Sequence, residues 1–282
     1  MTRAIDYGVA EGIINPDGVI GAERGRKAQV YKLNADYMHF LLIYLDSDVL
    51  SYRIHDFKSR TIGSGNIPIC DEKVLSTLEN LVMTSVAADP LIAMTAIAVS
   101  GVVCKGVVMD SAAFPSLNHI DVAKRLNEKF GLTVLIDNDL HVATNVARKY
   151  SNYKEGITVL YAYGKHKSGS GIIANGEVLC GAAGEVENIP LHTPDIESER
   201  IAFCSERLQT IIALMNPGRV VIYELDEGMD TDKLIGLIKS KMKPYLLPEF
   251  KLGRDFFEDC FLGLSIVCEV GIKQSLRERL DF

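Results

Sequence analysis

Residues 136–145 read IDNDLHVATN: an apolar strand end, then Asp137, Asn138 and Asp139, then the first turn of a helix. Two carboxylates flanking an amide on a strand-to-helix turn are costly to desolvate unless something satisfies them. Three explanations suit such a turn: catalysis, ligand binding without chemistry, or capping of the helix by Asn138 or Asp139. The pattern extends outward from there. Residues 119–131 (HIDVAKRLNEKFG) have the spacing of an amphipathic helix closed by Gly131, and TVLID is the strand that delivers the turn. Upstream, IAMTAIAVSGVV is a continuous apolar run of the kind buried on both faces of a sheet.

The 282 residues allow two domains of ordinary size. No apolar run approaches 18 residues and no charged-then-apolar leader opens the chain, so it is expected to be soluble and cytoplasmic, with no membrane partner. Cys70, Cys104, Cys180, Cys204, Cys260 and Cys268 include no CxxC pair and are read as buried free thiols. The net charge of −7 argues against broad attraction to nucleic acid or an anionic membrane, while leaving room for a local basic patch.

Three extended pieces, MHFLLIYL, VLSYRIHDF and TIGSGNIPI, precede a helix over 71–88 and then strand–helix alternation. A second cycle starts at GITVLYAY and passes through GSGIIANGEVLCG, with a turn at Asn175–Gly176, to helix 197–215, strand RVVIYEL, helix 231–242 and a terminal helix 255–279. This repetition predicts an α/β protein of two closely packed lobes, 37–150 and 151–282, each a mixed sheet covered by helices. Residues 1–36 stand apart. AIDYGVAEGII is a helix end running into a strand, NPDG a turn, and GAERGRKAQVYKLN a loop and strand carrying Arg24, Arg26, Lys27 and Lys32. They suggest the wing of a winged helix, with Arg24, Arg26 and Lys27 as its DNA contacts; the alternative is an ordinary hairpin with solvated charges.

Four stretches in order carry a family resemblance: GRKAQVYKLNADY, AVSGVV with LNHIDVAKRLNEKFGLTVLIDNDLHVATNVA, IIANGEVLCGAAGEVEN, and MNPGRVVIY. Together they resemble the ROK family (repressors, open reading frames and kinases), most closely its NagC/XylR-type transcriptional regulators. The resemblance implies the actin-like, hexokinase-like (ribonuclease H-like) two-lobed ATPase fold, here with a partial winged-helix remnant. It also implies that Asp139 matches the base that takes the sugar hydroxyl proton, that Asn138 matches the sugar-binding amide, and that Glu185 matches a second sugar-contacting carboxylate.

Departures from the family pattern are equally specific. Where the kinases have Asp-x-Gly-Gly-Thr, a turn whose amides approach phosphate, this chain has Tyr44, Leu45, Asp46, Ser47 and Asp48. The second phosphate loop matches Lys165, His166 and Lys167, and the adenosine-side Gly-Gly falls near Glu224 and Leu225. Asn188 stands where the family has a histidine that contacts sugar and ligates zinc, and the cysteine-rich zinc loop is missing; Cys204 and His192 cannot make a four-ligand site alone. No zinc and no ATP are therefore expected, and Asp139 is at most a vestigial base.

The resulting expectation is a non-catalytic, sugar-sensing regulator-like protein, a homodimer by family analogy, whose ligand is a small sugar or sugar phosphate held by Asn138, Asp139, Glu185 and Asn188. DNA would be bound only if the true start lies upstream of Met1 and supplies a reading helix. The alternatives are an ATP-dependent hexose or amino-sugar kinase that uses Asp139, and a ligand-free scaffold of the same fold.

Overall fold

The computed structural model describes residues 2–21, 28–150, 156–164, 168–179, 194, 196–226 and 230–280. In chain order the elements are α1 (Thr2–Ala10), β1 (Ile14–Ile20), β2 (Ala28–Leu33), β3 (His39–Asp46), β4 (Val49–His55), β5 (Thr61–Pro68), α2 (Val74–Ala88), β6 (Ile92–Val99), β7 (Val102–Cys104), β8 (Val107–Asp110), β9 (Ile120–Asp121), α3 (Val122–Phe130), β10 (Thr133–Asn138) and α4 (Asp139–Tyr150). The second cycle contains β11 (Ile157–Tyr163), β12 (Ser168–Ala174), β13 (Glu177–Val178), α5 (Glu197–Met215), β14 (Arg219–Glu224), α6 (Thr231–Lys241), β15 (Glu249–Leu252) and α7 (Phe256–Leu280).

The two large sheets repeat one topology. The first has strand order β10-β6-β3-β4-β5 and the second β13-β12-β11-β14-β15. In each, the first strand of the cycle pairs antiparallel with the next and parallel with the strand that follows the helix, as in β3 with β4 and β6, and β11 with β12 and β14. A two-residue hairpin loop, Ser47–Asp48, joins β3 to β4.

Alternation along the central strands sorts their side chains into layers. In β3, Leu41, Ile43 and Leu45 enter a core under α2 and α3, while Phe40, Leu42 and Tyr44 face α7. The adjacent β6 sends Ile97 and Val99 to the first core and Ala96 and Ala98 to the second. The small alanines let α7 lie close to the sheet. In β11, Val159, Tyr161 and Tyr163 pack beneath α5 and α6, and Leu160 and Ala162 face the other way. That opposite face meets Leu140 of α4, Tyr223 of β14 and Phe256 of α7 in a small core between the lobes. The helices α4 and α7 thus form the layer shared by both sheets.

Glycines set the closeness of that layer. A Cβ at Gly263 in α7 would lie 2.2 Å from the Val142 carbonyl oxygen of α4, and one at Gly171 in β12 would lie 2.0 Å from Thr144 Oγ1. Only a residue without a side chain permits either approach.

Several sequence expectations are corrected. NPDG is not a free turn: Asn15–Gly18 lie inside β1, with an irregularity in pairing between Pro16 and Val19 and Gly18 at φ +106. The run IAMTAIAVSGVV breaks at Ser100–Gly101 into β6 and β7. Cys70 is exposed and Cys104 half-buried, whereas Cys204, Cys260 and Cys268 are buried. Asn175 and Gly176 do form the expected turn, both at positive φ. Arg24, Arg26 and Lys27 lie outside the described residues, as does Cys180. Among the described residues, no helix is long and apolar enough to cross a membrane.

Replacing Gly263 by Val should destabilise the protein by about 3 kcal/mol in urea unfolding, because the α4–α7 contact cannot absorb the added atoms. Gly236 sits in α6 with open space around it, so Gly236→Ala should instead stabilise by roughly 0.5–1 kcal/mol.

Candidate functional site

The strand end and helix start at 137–139 lie in the seam between the lobes. Asn138 is 4% exposed and Asp139 5%. Asn138 spends its amide locally: Oδ1 accepts from the His141 backbone N–H at 2.9 Å, the third amide of α4, and Nδ2 donates to the Gly101 carbonyl at 2.7 Å. It is therefore the N-cap of α4 and also ties β10 to the turn after β6. Of the explanations open for this turn, capping is the one Asn138 satisfies. Asp137 points elsewhere, accepting from its neighbour Asn138 N–H at 2.9 Å and pairing with His141 Nδ1 at 2.5 Å.

Asp139 occupies the first helical position, where the dipole of α4 favours its negative charge. Its Oδ1 accepts from the Leu140 N–H at 2.8 Å, and the Tyr44 hydroxyl reaches Oδ2 at 3.4 Å. The Cys260 thiol of α7 lies against the Asp139 carbonyl at 3.6 Å. Tyr44 is 3% exposed, and its phenol is held well above its ordinary pKa, first by burial and then by the Asp139 charge. Its ring meets Phe257 edge to face, centroids 5.8 Å apart. Tyr44 was recognised from sequence as the residue at the kinase carboxylate position; its contact with Asp139 was not foreseen.

The space beside Asp139 is small. A cavity of about 40 Å³ is bordered by Asn138, Asp139, Ser168 and Phe256, among others. Among the described residues, the Ser168 hydroxyl there is buried without a hydrogen-bond partner. A polar cavity of that size suits about one water rather than a ring of sugar dimensions.

On the far side of Tyr44 lies a larger cleft of about 400 Å³, between the β3–β4 turn, the end of β14 and the start of α7. Its described lining includes the carboxylates Asp46, Glu224, Asp226 and Asp255, the cation Arg254 and the rings of Tyr44, Phe256 and Phe257. Each carboxylate about 4 Å from a phosphate oxygen would cost on the order of 1–4 kcal/mol, so a single guanidinium does not offset four. Ser47 is at φ +20 in the hairpin turn, and its side-chain hydroxyl donates to Asp46. Glu224 accepts from Thr231 Oγ1, which is 2.8 Å from the Tyr163 hydroxyl, a phenol that burial pushes up to about 12. Sequence reasoning missed Arg254, Asp255, Phe256 and Phe257; the signal was present in GRDFFED, an aromatic pair between acidic residues at a helix start.

The start of α7 fastens the lobes beside this cleft. Tyr223 of β14 donates to Asp259 of α7 at 2.7 Å and stacks edge to face on Phe256. Burial raises the Asp259 carboxyl pKa despite that hydrogen bond.

Glu185, Asn188, Lys165, His166, Lys167 and His192 lie outside the described residues. Cys204 is buried in the core under α5, and no cluster of three or more potential metal ligands occurs among the described residues.

The paired sheets sharing a helical layer, with a carboxylate at the strand-to-helix turn in the seam, define a two-lobed α/β protein of the actin-like, hexokinase-like class. The ROK family profile matches residues 66–208, half of the chain, and the chain belongs to the ROK family. Similar solved structures include a ROK family transcriptional regulator described as a homolog of the E. coli MLC protein, 16% identical, covering 94% of this chain and 87% of that one, TM-score 0.72. A ROK hexokinase from Thermus thermophilus is 14% identical over 84% of this chain and 100% of its own, TM-score 0.63. A ROK family glucokinase from Streptomyces griseus, in complex with glucose and AMPPNP, is 10% identical over 81% and 98%, TM-score 0.61. Comparison with curated protein sequences returns no match.

Loss of the cap should be measurable. Asn138→Ala is expected to lower stability by about 1–2 kcal/mol in urea unfolding. Asn138→Asp keeps the acceptor for the His141 N–H and should cost less.

Proposed function

We propose that this protein is a non-catalytic, regulator-like member of the ROK family whose ligand class is carbohydrate. The observation that carries it is Tyr44, whose hydroxyl lies 3.4 Å from Asp139 at the position where the kinases of the family have a carboxylate. A phosphoryl-transfer site needs its base open to the attacking hydroxyl and its phosphate loops electropositive. Here the base is covered by a phenol, and the charged residues in the described lining of the adjoining cleft are four carboxylates and one guanidinium. The metal-bound nucleotide of a kinase has no fit among these residues, and no step is assigned to one.

Carbohydrate as ligand class is supported by family membership and by the glucose complex of the Streptomyces griseus relative. Asn138 and Asp139 would hold the sugar, with Glu185 and Asn188 completing the site. With about 40 Å³ beside Asp139, a sugar enters only if the lobes part at the α7 seam, which makes lobe opening the signal. If the protein reads DNA, β1 and β2 would serve as the wing of the reading module, acting across a homodimer. The small cavity also favours a second proposal, a ligand-free scaffold that retains the fold.

In a coupled assay with ATP, Mg²⁺ and a panel of hexoses and amino sugars, no turnover above background is expected. Sugar-dependent ATP consumption that vanishes in Asp139→Asn would overturn the proposal. A thermal-shift panel separates sensor from scaffold: a sugar that binds only the folded state at 100 times its Kd stabilises by about 2.7 kcal/mol, and the scaffold gives no shift.

A further inference from the structure

At one end of the second lobe, where β14 and β15 begin, the surface changes character. Arg219 at the start of β14 pairs with Glu249 at the start of β15, so these strand ends lie side by side. The helices α5 and α6 each lead into one of these strands and therefore bring their C-terminal ends to the same rim, α5 ending at Met215 and α6 at Lys241. Between Asp232 and Glu249 the chain has four lysines and no carboxylate, in a protein of net charge −7. Of these, Lys239, Lys241 and Lys243 are exposed, and none forms an ion pair among the described residues. Glu249 is already taken by Arg219 and Lys251.

Lys239 and Lys241 suit the negative end of the α6 dipole, but that accounts for neither Lys243 nor its surroundings. After α6 comes a turn of 3-10 helix, Pro244–Leu246, in which the Leu246 N–H donates to the Lys243 carbonyl at 3.0 Å and the Leu247 N–H to the Pro244 carbonyl at 3.2 Å. Met242 and Leu247, on either side, pack against the core under α5 and α6. The turn so anchored holds Tyr245 in solvent at 82% exposure, and Leu214 in the last turn of α5 is 79% exposed. Among the described residues these are the two most exposed large apolar side chains, and both stand at the rim that carries the unpaired lysines.

We propose that this rim docks on an anionic lipid surface, with the lysine ammonium groups at the headgroup phosphates and Leu214 and Tyr245 in the interface beneath them. Lysines beside apolar and aromatic side chains that point outward are the complement of such a surface. Screening over about 10 Å at 0.1 M salt lets the rim act apart from the acidic cleft between the lobes. Nucleic acid, the other common polyanion, suits the rim less well. Its phosphates are favoured at helix N-termini, whereas this rim presents C-terminal ends, and a phosphate backbone offers no complement to two outward apolar side chains. The local basic patch that the net charge left room for is placed here, and the expectation of no membrane partner is revised with it.

Co-sedimentation of the full chain with vesicles tests this. The protein should pellet with phosphatidylcholine vesicles carrying about 30 mol% phosphatidylglycerol at about 50 mM salt, and stay in solution with pure phosphatidylcholine. At about fivefold per lysine, Lys241→Gln with Lys243→Gln should weaken binding about 25-fold. Leu214→Ser with Tyr245→Ser should weaken it by at least about threefold. Lys58→Gln with Lys124→Gln removes the same charge from exposed positions of the first lobe and should leave binding unchanged. No pelleting with the anionic vesicles would overturn the proposal, as would equal pelleting with both kinds of vesicle or equal weakening by the two lysine pairs. Tighter binding to a DNA duplex, lost with Lys241→Gln and Lys243→Gln, would overturn it in favour of nucleic acid.

Discussion

A carboxylate at the start of a helix, buried where two lobes meet, is the constraint around which this molecule is arranged. Asp139 is 5% exposed, and a charge in that setting persists only if polar groups stand around it. The dipole of α4, the Leu140 amide and the Tyr44 hydroxyl serve that purpose. At 3.4 Å the phenol contact is long for a hydroxyl donor, so Tyr44 acts as much by filling the space above the carboxylate as by bonding to it. The same ring leans on Phe257 and thereby on α7, the helix shared by both lobes. Covering the carboxylate and joining the lobes are thus done by one set of side chains.

The turn between β3 and β4 carries the side chains of Ser47 and Asp48, next to Asp46 at the end of β3. The cleft between Asp46, Asp226 and Asp255 has room for a ligand, and its described charged lining is four carboxylates and one guanidinium. Fold similarity to a regulator and to kinases alike, at 10–16% identity, leaves the choice to such details of the site.

The order of elements was legible because hydrophobic period changes cleanly along the chain, from the alternation in HFLLIYL to the helical spacing of VAKRLNEKF, closed by Gly131 in the left-handed conformation. The position of Asp139 in the seam was legible too, through the family pattern around IDND. Less legible were contacts between distant segments. Nothing local in LIYLD says that Tyr44 will meet a residue 95 positions later, and GRDFFED reads as a helix start rather than a cleft wall. The NPDG stretch misled because its turn-forming residues are accommodated within an irregular ribbon strand.

The account depends on Tyr44 and Asp139 acting on each other rather than merely lying close. A double-mutant cycle of Tyr44→Phe and Asp139→Asn, read by urea unfolding, measures that coupling directly. A favourable interaction of about 0.5–1 kcal/mol is predicted, in keeping with a long, charge-assisted contact. Strict additivity of the two substitutions would mean that the Tyr44 hydroxyl and the Asp139 carboxylate do not interact, contradicting the account.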